Sequence, residues 1–143
     1  MKTGIITDEV SQDLSAALKL AKDYRLDAVE IRSVEEKNPF QMTQEDFRKI
    51  RAQADAAGLA VCCVASPFFK CDFFDESAIA AHMEGLRRAI QGAQIMGAHL
   101  IRGFAFWRAE GAAFSQIAER FHPVAELLER EDMTMVLESE PSV

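Results

Sequence analysis

Polar and charged residues collect at the ends of short apolar runs in this chain, where side chains that bind or transform a small molecule would be held in place. Asp8 and Glu9 follow the first run, and Glu30 and Arg32 close the second. Ser66, Pro67 and Lys70 follow the third, Arg102 lies within the fourth, and Glu138 and Glu140 end the fifth. Charges on otherwise apolar segments are costly to bury unless they are paired or bound to something. A polar pocket is therefore expected, with Arg102 and Lys70 as candidates to hold an anionic or hydroxyl-rich substrate.

Each residue also has a structural alternative at this level. Glu30 and Arg32 make either a structural ion pair or part of a site. Asp8 or Glu9 either caps the first helix or faces the pocket. Arg102 either pairs with an acidic neighbour or binds substrate, and Lys70, Glu138 and Glu140 are either solvated or functional. Trp107 offers a face for stacking on a sugar ring or packs at a rim. His82, His99 and His122 form no recognisable site.

The elements that must position these residues alternate regularly. Ile5-Ile6 opens as a strand, and Ser11 is suited to cap a helix carrying Leu14, Ala17, Leu18, Ala21 and Tyr24 on one face. Ala28 to Ile31 is a second strand. Thr43 to Asp46 resembles a capping box, with Phe47, Ile50, Ala54 and Ala57 following at helical spacing and Gly58 as the stop. Ala60 to Val64 has the continuous apolar character of a strand buried on both faces. Ile79, Met83, Leu86, Ile90 and Ala93 mark a long helix ended by Gly97.

Leu100 to Phe106 is the fourth strand, which by a period of two puts Arg102, Phe104 and Phe106 on one side. Phe114, Ile117, Ala118, Phe121, Ala125 and Leu128 mark a fourth helix that Pro123 should kink or split. Met133 to Leu137 is the fifth strand. Four strand-helix units plus a fifth strand imply parallel strands joined by right-handed crossovers in one α/β domain over residues 1–143. Either an open doubly wound sheet or the first part of a closed barrel fits. The turn Thr7-Asp8-Glu9-Val10-Ser11 lacks the glycine spacing of a dinucleotide-binding loop.

Composition narrows the function classes. Asp and Glu number 23 against 16 Lys and Arg, a net charge of −7, which speaks against a general nucleic-acid binder because phosphate neutralisation needs clustered cations. No apolar run reaches the about 20 residues that span a bilayer. The start of the chain shows no signal-peptide pattern, so a cytoplasmic protein is expected. Cys62, Cys63 and Cys71 fit neither a disulfide framework nor a paired zinc motif and read as bystander thiols.

At the strand-end residues the chain resembles the sugar phosphate isomerase/epimerase family, the xylose isomerase-like barrels related to the second family of apurinic endonucleases. Four segments carry the resemblance: Thr7 to Ser11, Ala65-Ser66-Pro67-Phe68-Phe69-Lys70, Ile101-Arg102-Gly103-Phe104-Ala105-Phe106, and Val136-Leu137-Glu138-Ser139-Glu140-Pro141. The resemblance implies a partial (β/α)8 TIM barrel, because 143 residues fall short of the about 250 of a complete one. It implies a sugar or sugar phosphate as the small-molecule partner, while the acidic composition and the lack of a long apolar run give the expectation of no nucleic acid and no membrane.

It further implies that Glu138 is the catalytic carboxylate and a ligand of a divalent metal (Mn, Mg, Co or Zn). Arg102, Lys70, Ser66, Glu140, Glu30 and Phe106, from the strand ends, are the candidate substrate contacts. A two-residue step along a strand spans about 6.6 Å, which speaks against Glu138 and Glu140 holding the same ion and leaves Glu140 either behind the metal's ligands or facing the substrate. The family's chemistry, proton transfer next to a carbonyl, needs a pair of carboxylates and further metal ligands from strands six to eight. The expectation for this chain is one carboxylate of the pair, weak or absent metal binding, and little or no turnover. A rival expectation is a non-catalytic half-barrel that self-associates as a homo-oligomer through exposed sheet edges. The endonuclease branch would need metal-binding histidines and a basic face, which the chain lacks.

Overall fold

The computed structural model describes residues 2–107 and 111–140. Five strands form one parallel sheet: β1 (Gly4–Ile6), β2 (Ala28–Ile31), β3 (Ala60–Ala65), β4 (Leu100–Gly103) and β5 (Thr134–Leu137). Their spatial order is β1-β2-β3-β4-β5, the same as their order in the chain. A doubly wound sheet reverses direction at a switch point, whereas a barrel adds each strand next to the last. The observed order is that of a partial (β/α)8 barrel.

The connecting helices are α1 (Leu14–Asp23), α2 (Gln44–Ala57), α3 (Glu76–Met96), α4 (Phe114–Arg120) and α5 (His122–Arg130). Local chemistry explains their limits. Asp13, not Ser11, caps α1 by accepting from the Ser15 amide at 2.9 Å, while Ser11 accepts from the Asp13 amide. Thr43 and Asp46 form the expected capping box on α2. Gly58 and Gly97 end α2 and α3 in the left-handed region, at φ 74° and 75°, which glycine adopts without steric cost. Pro123 divides the fourth helical segment into α4 and α5, since its missing N–H and fixed φ suit the first turn of a helix.

Three apolar positions of the helical patterns are not core. Tyr24 falls at the end of α1, Phe114 at the start of α4 and Ala125 within α5, and all three are exposed.

Strand register sorts side chains into two faces. Ile31, Val64, Ile101 and Met135 share a row beneath the helices, and the first three are fully buried. The opposite face carries one row of Ile6, Glu30, Cys63, Leu100 and Thr134, and above it a row of Ala65, Arg102 and Val136. This is the inner face of the barrel wall, and Leu100 and Val136 are exposed on it. Among the described residues no helix is long and apolar enough to cross a membrane.

The α2–α3 contact relies on small residues. A Cβ on Gly92 would lie 2.4 Å from the ring of Phe47, which is fully buried. Helix propensity favours Gly92→Ala by about 1 kcal/mol, whereas overpacking costs about 1–3 kcal/mol. Denaturant unfolding is expected to show a net loss of stability for Gly92→Ala; a gain would mean that Phe47 moves aside freely.

Candidate functional site

The carboxyl ends of β3, β4 and β5 enclose a cleft of about 270 Å3 lined by Arg32, Asn38, Ala65, Ser66, Pro67, Lys70, Arg102, Phe104, Glu138 and Glu140. Arg102 projects from the inner face of β4 and is nearly buried, its side chain 12% exposed. Its guanidinium Nη1 lies 2.9 Å from Glu138 Oε2. Glu138 is held there by the ladder itself, because its N–H donates to the Gly103 carbonyl at 2.9 Å, one step beyond β5.

The loop after β3 supplies the opposite wall. Ser66 is fully buried, donates its hydroxyl to the Arg102 carbonyl at 2.8 Å and accepts from the Phe68 amide at 3.3 Å. Its hydroxyl thus serves the join between β3 and β4. Lys70, four residues on, reaches Glu140 at 2.8 Å. The ammonium of Lys70 and the guanidinium of Arg102 both lie over the ring of Phe104, at 4.9 and 4.8 Å from its centre, so one buried aromatic orients both cations.

Arg32 closes the side of the cleft nearest β2. It pairs with Asp8 at 2.9 Å and Glu9 at 2.8 Å, and not with Glu30. Asp8 and Glu9 belong to a short 3-10 turn, Thr7–Glu9, and are committed to Arg32 instead of capping α1. Asp8 also accepts from the Ser33 hydroxyl at 3.0 Å.

Two residues expected at the site stand elsewhere. Glu30 occupies the row below Arg102, about 6.6 Å deeper in the wall, and does not line the cleft. Burial, and then the nearby Glu30 carboxylate, push the Cys63 thiol up to about 12, which leaves it a poor nucleophile. Phe106 is 1% exposed and belongs to the core. The alternation that placed it beside Arg102 requires an extended strand, but β4 ends at Gly103 and Phe106 has φ 73°. Its ring stacks on Phe69 at 4.1 Å and meets Phe73 and Phe121 edge-on. Phe104 takes the place in the cleft that was expected of Phe106. Trp107 is half exposed and lies outside the cleft lining. Pro141, the end of the last segment carrying the resemblance, lies outside the described residues.

Divalent ions take about four to eight donors. Among the described residues no three His, Cys, Asp or Glu side chains are grouped to hold one, and Glu138 and Glu140 are each engaged by a cation. The cleft residues by themselves do not fit a divalent metal.

The family model for the xylose isomerase-like TIM barrel matches residues 18–142. The chain belongs to this family. No curated protein matches it. Among solved structures, a xylose isomerase domain protein from Planctomyces limnophilus is 17% identical, with a TM-score of 0.72 over 99% of this chain and 55% of its own. The 3-keto-D-glucoside 4-epimerase YcjR from E. coli is 11% identical, with a TM-score of 0.74 over 96% of this chain and 56% of its own. A D-allulose 3-epimerase from Methylomonas sp., in complex with D-allulose, is 15% identical, with a TM-score of 0.68 over 95% of this chain and 50% of its own. The chain spans about half the length of these structures, and at such identities the likeness is one of fold.

The sequence reading missed Asn38 and His82. Asn38 carries no motif and enters the cleft only because its amide oxygen, accepting from the Phe40 amide at 2.9 Å, fixes the loop before α2. His82 sits on α3, where its Nδ1 accepts from the Phe69 amide at 2.9 Å and so braces the loop that carries Ser66 and Lys70.

Burial holds the His82 pKa below its ordinary 6.5, favouring the neutral ring that this acceptor role needs. The unfolded chain then takes up a proton more readily than the folded one, so stability is retained above pH 6.5 and falls as pH drops from there through the folded-state value. Melting temperatures across this range are expected to fall more steeply for the native chain than for His82→Gln, which keeps an acceptor and does not titrate. Parallel profiles would show that His82 carries no load.

Proposed function

We propose that the cleft is one wall of a sugar isomerase or epimerase site. The observation that carries the reading is the convergence of Ser66, Lys70, Arg102, Glu138 and Glu140 from three strand ends on one cleft at the carboxyl edge of a parallel barrel wall. Family membership and the sugar epimerases among the structural neighbours support it.

In this reading Glu138 is the carboxylate that takes a proton from the carbon next to a carbonyl, and Arg102 beside it stabilises the charge that develops on the carbonyl oxygen. Lys70, Glu140 and Arg102 orient the sugar hydroxyls, with Ser66 acting through the backbone it joins. A divalent ion would find one ligand in Glu138 and needs the rest of its donors from elsewhere. In this reading the wall supplies, in Glu138, one of the two proton-transferring carboxylates that epimerisation needs, since Glu140 is assigned to the sugar hydroxyls. The 143-residue chain therefore binds metal weakly and turns over little or no sugar.

D-allulose added to the chain is expected to shift the amide resonances of Lys70, Arg102 and Phe104. Lys70→Ala should weaken that binding about tenfold, since it removes a hydrogen bond from a charged group. Manganese titration should give weak binding that disappears in Glu138→Ala. Tight stoichiometric binding that survives the substitution would remove Glu138 as the ligand.

A second reading has its own observation. Leu100, Val136 and Leu137 are exposed on β4 and β5, at 37%, 42% and 53%, and among the described residues both outer strands, β1 and β5, have one unpaired edge in this sheet. Exposed edges and apolar side chains of this kind favour pairing with a second copy of the chain. Sedimentation is expected to show concentration-dependent dimers, and a monomer that persists at high concentration would eliminate this reading.

A further inference from the structure

Among the described residues, every cation that lines the cleft already has a carboxylate. Arg102 is paired with Glu138, Lys70 with Glu140, and Arg32 with both Asp8 and Glu9, all within 2.9 Å. Among the described residues three cations thus stand against four carboxylates, an excess of one negative charge. The whole chain carries −7.

We infer that the cleft takes a neutral polyhydroxylated ligand, a free sugar, and discriminates against a phosphorylated one. The inference rests on the reading of the cleft as a sugar site and narrows its substrate class.

Sites for a phosphate dianion present cations or backbone N–H groups that no carboxylate has claimed. Here a dianion would have to draw Arg102 from Glu138 or Lys70 from Glu140, and the released carboxylate would remain beside it. A dianion about 6 Å from one uncompensated negative charge loses about tenfold in affinity even at the dielectric constant of water.

Hydroxyl groups stand in the opposite relation to the same pairs. Each both donates and accepts, so it can donate to a carboxylate oxygen and accept from a guanidinium N–H while the ion pair stays intact. Arg102 meets Glu138 at Nη1, and a guanidinium carries five N–H donors in a fixed fork, more than one carboxylate takes up, so donors are left for such contacts. Asn38 adds an uncharged donor: its oxygen is taken by the Phe40 amide, and its NH2 has no acceptor among the described residues.

The test compares D-fructose, fructose 6-phosphate and inorganic phosphate by amide chemical-shift titration of the 143-residue chain at low ionic strength, where charge effects are least screened. D-fructose is expected to shift Lys70, Arg102 and Phe104, fructose 6-phosphate to bind there about tenfold more weakly, and inorganic phosphate to leave them unmoved. Glu138→Gln combined with Glu140→Gln releases both cations and should raise the affinity for both phosphates by about tenfold or more, with a dispersed spectrum confirming the fold.

Fructose 6-phosphate binding as tightly as D-fructose, or tighter, would overturn the inference and leave the sugar-site reading in place. A double variant with no gain in phosphate affinity would overturn it as well. Silence of these residues toward both sugars would overturn the inference and the sugar-site reading together.

Discussion

An arginine on the wall of a parallel sheet needs a carboxylate, and the arrangement of this cleft follows from how Arg102 obtains one. Its side chain is nearly buried on the inner face of β4, where an unpaired charge would be strongly destabilising. The partner, Glu138, comes from the next strand and is delivered by the ladder: the amide of Glu138 donates to Gly103, one residue beyond Arg102. The carbonyl of Arg102 in turn receives the Ser66 hydroxyl and amide, which fastens the β3 loop to β4. One residue therefore binds both neighbouring strand ends, through its side chain on one side and its backbone on the other.

The second support is aromatic. Phe68 stacks on Phe69 at 3.9 Å, Phe69 stacks on Phe106, and Phe73 and Phe121 meet this group edge-on. These rings fix the segment between Ser66 and Phe73, although it forms no regular element of its own. Phe69 has φ 55°, a conformation that a bulky residue keeps only when its surroundings require it, and here its amide is held by His82 and its ring lies between two others. Lys70 is positioned by this packing as much as by Glu140. The core and the cleft share the loop, so a defect in the aromatic group would be read at the ammonium of Lys70.

The order and type of the elements were legible because each rule involved is local. Apolar periodicity marked the helices, glycine marked two helix ends, Thr43 and Asp46 marked a third terminus, and Pro123 divided the last helical segment. The gathering of Ser66, Lys70, Arg102, Glu138 and Glu140 was legible for a related reason, since parallel α/β folds bring strand ends to one side. The misses share a different cause. Alternation carried Phe106 into the cleft because nothing in Arg102-Gly103-Phe104-Ala105-Phe106 announces that extended backbone stops at Gly103. Sequence proximity paired Arg32 with Glu30, but side chains two apart on a strand sit in successive rows, and Asp8 and Glu9 arrive from β1 at the height of Arg32. His82 and Asn38 act through hydrogen bonds with backbone amides, which no residue pattern encodes.

The ion pairs also separate the two roles that charged residues take in a barrel wall. A surface pair contributes little, and a buried pair returns little more than its desolvation cost. Stability alone therefore gives weak reason to keep three cations and four carboxylates around one opening, since apolar side chains would hold β3, β4 and β5 together at least as well. Their arrangement is informative in another way. Each pair spans two segments, β1 to β2, the β3 loop to the residues after β5, and β4 to the residues after β5, so the charges fix the relative heights of strand ends that the ladder alone would allow to fray. A cleft built in this way is oriented before a ligand arrives. It also retains donors and acceptors that hydroxyl groups can use without breaking the pairs.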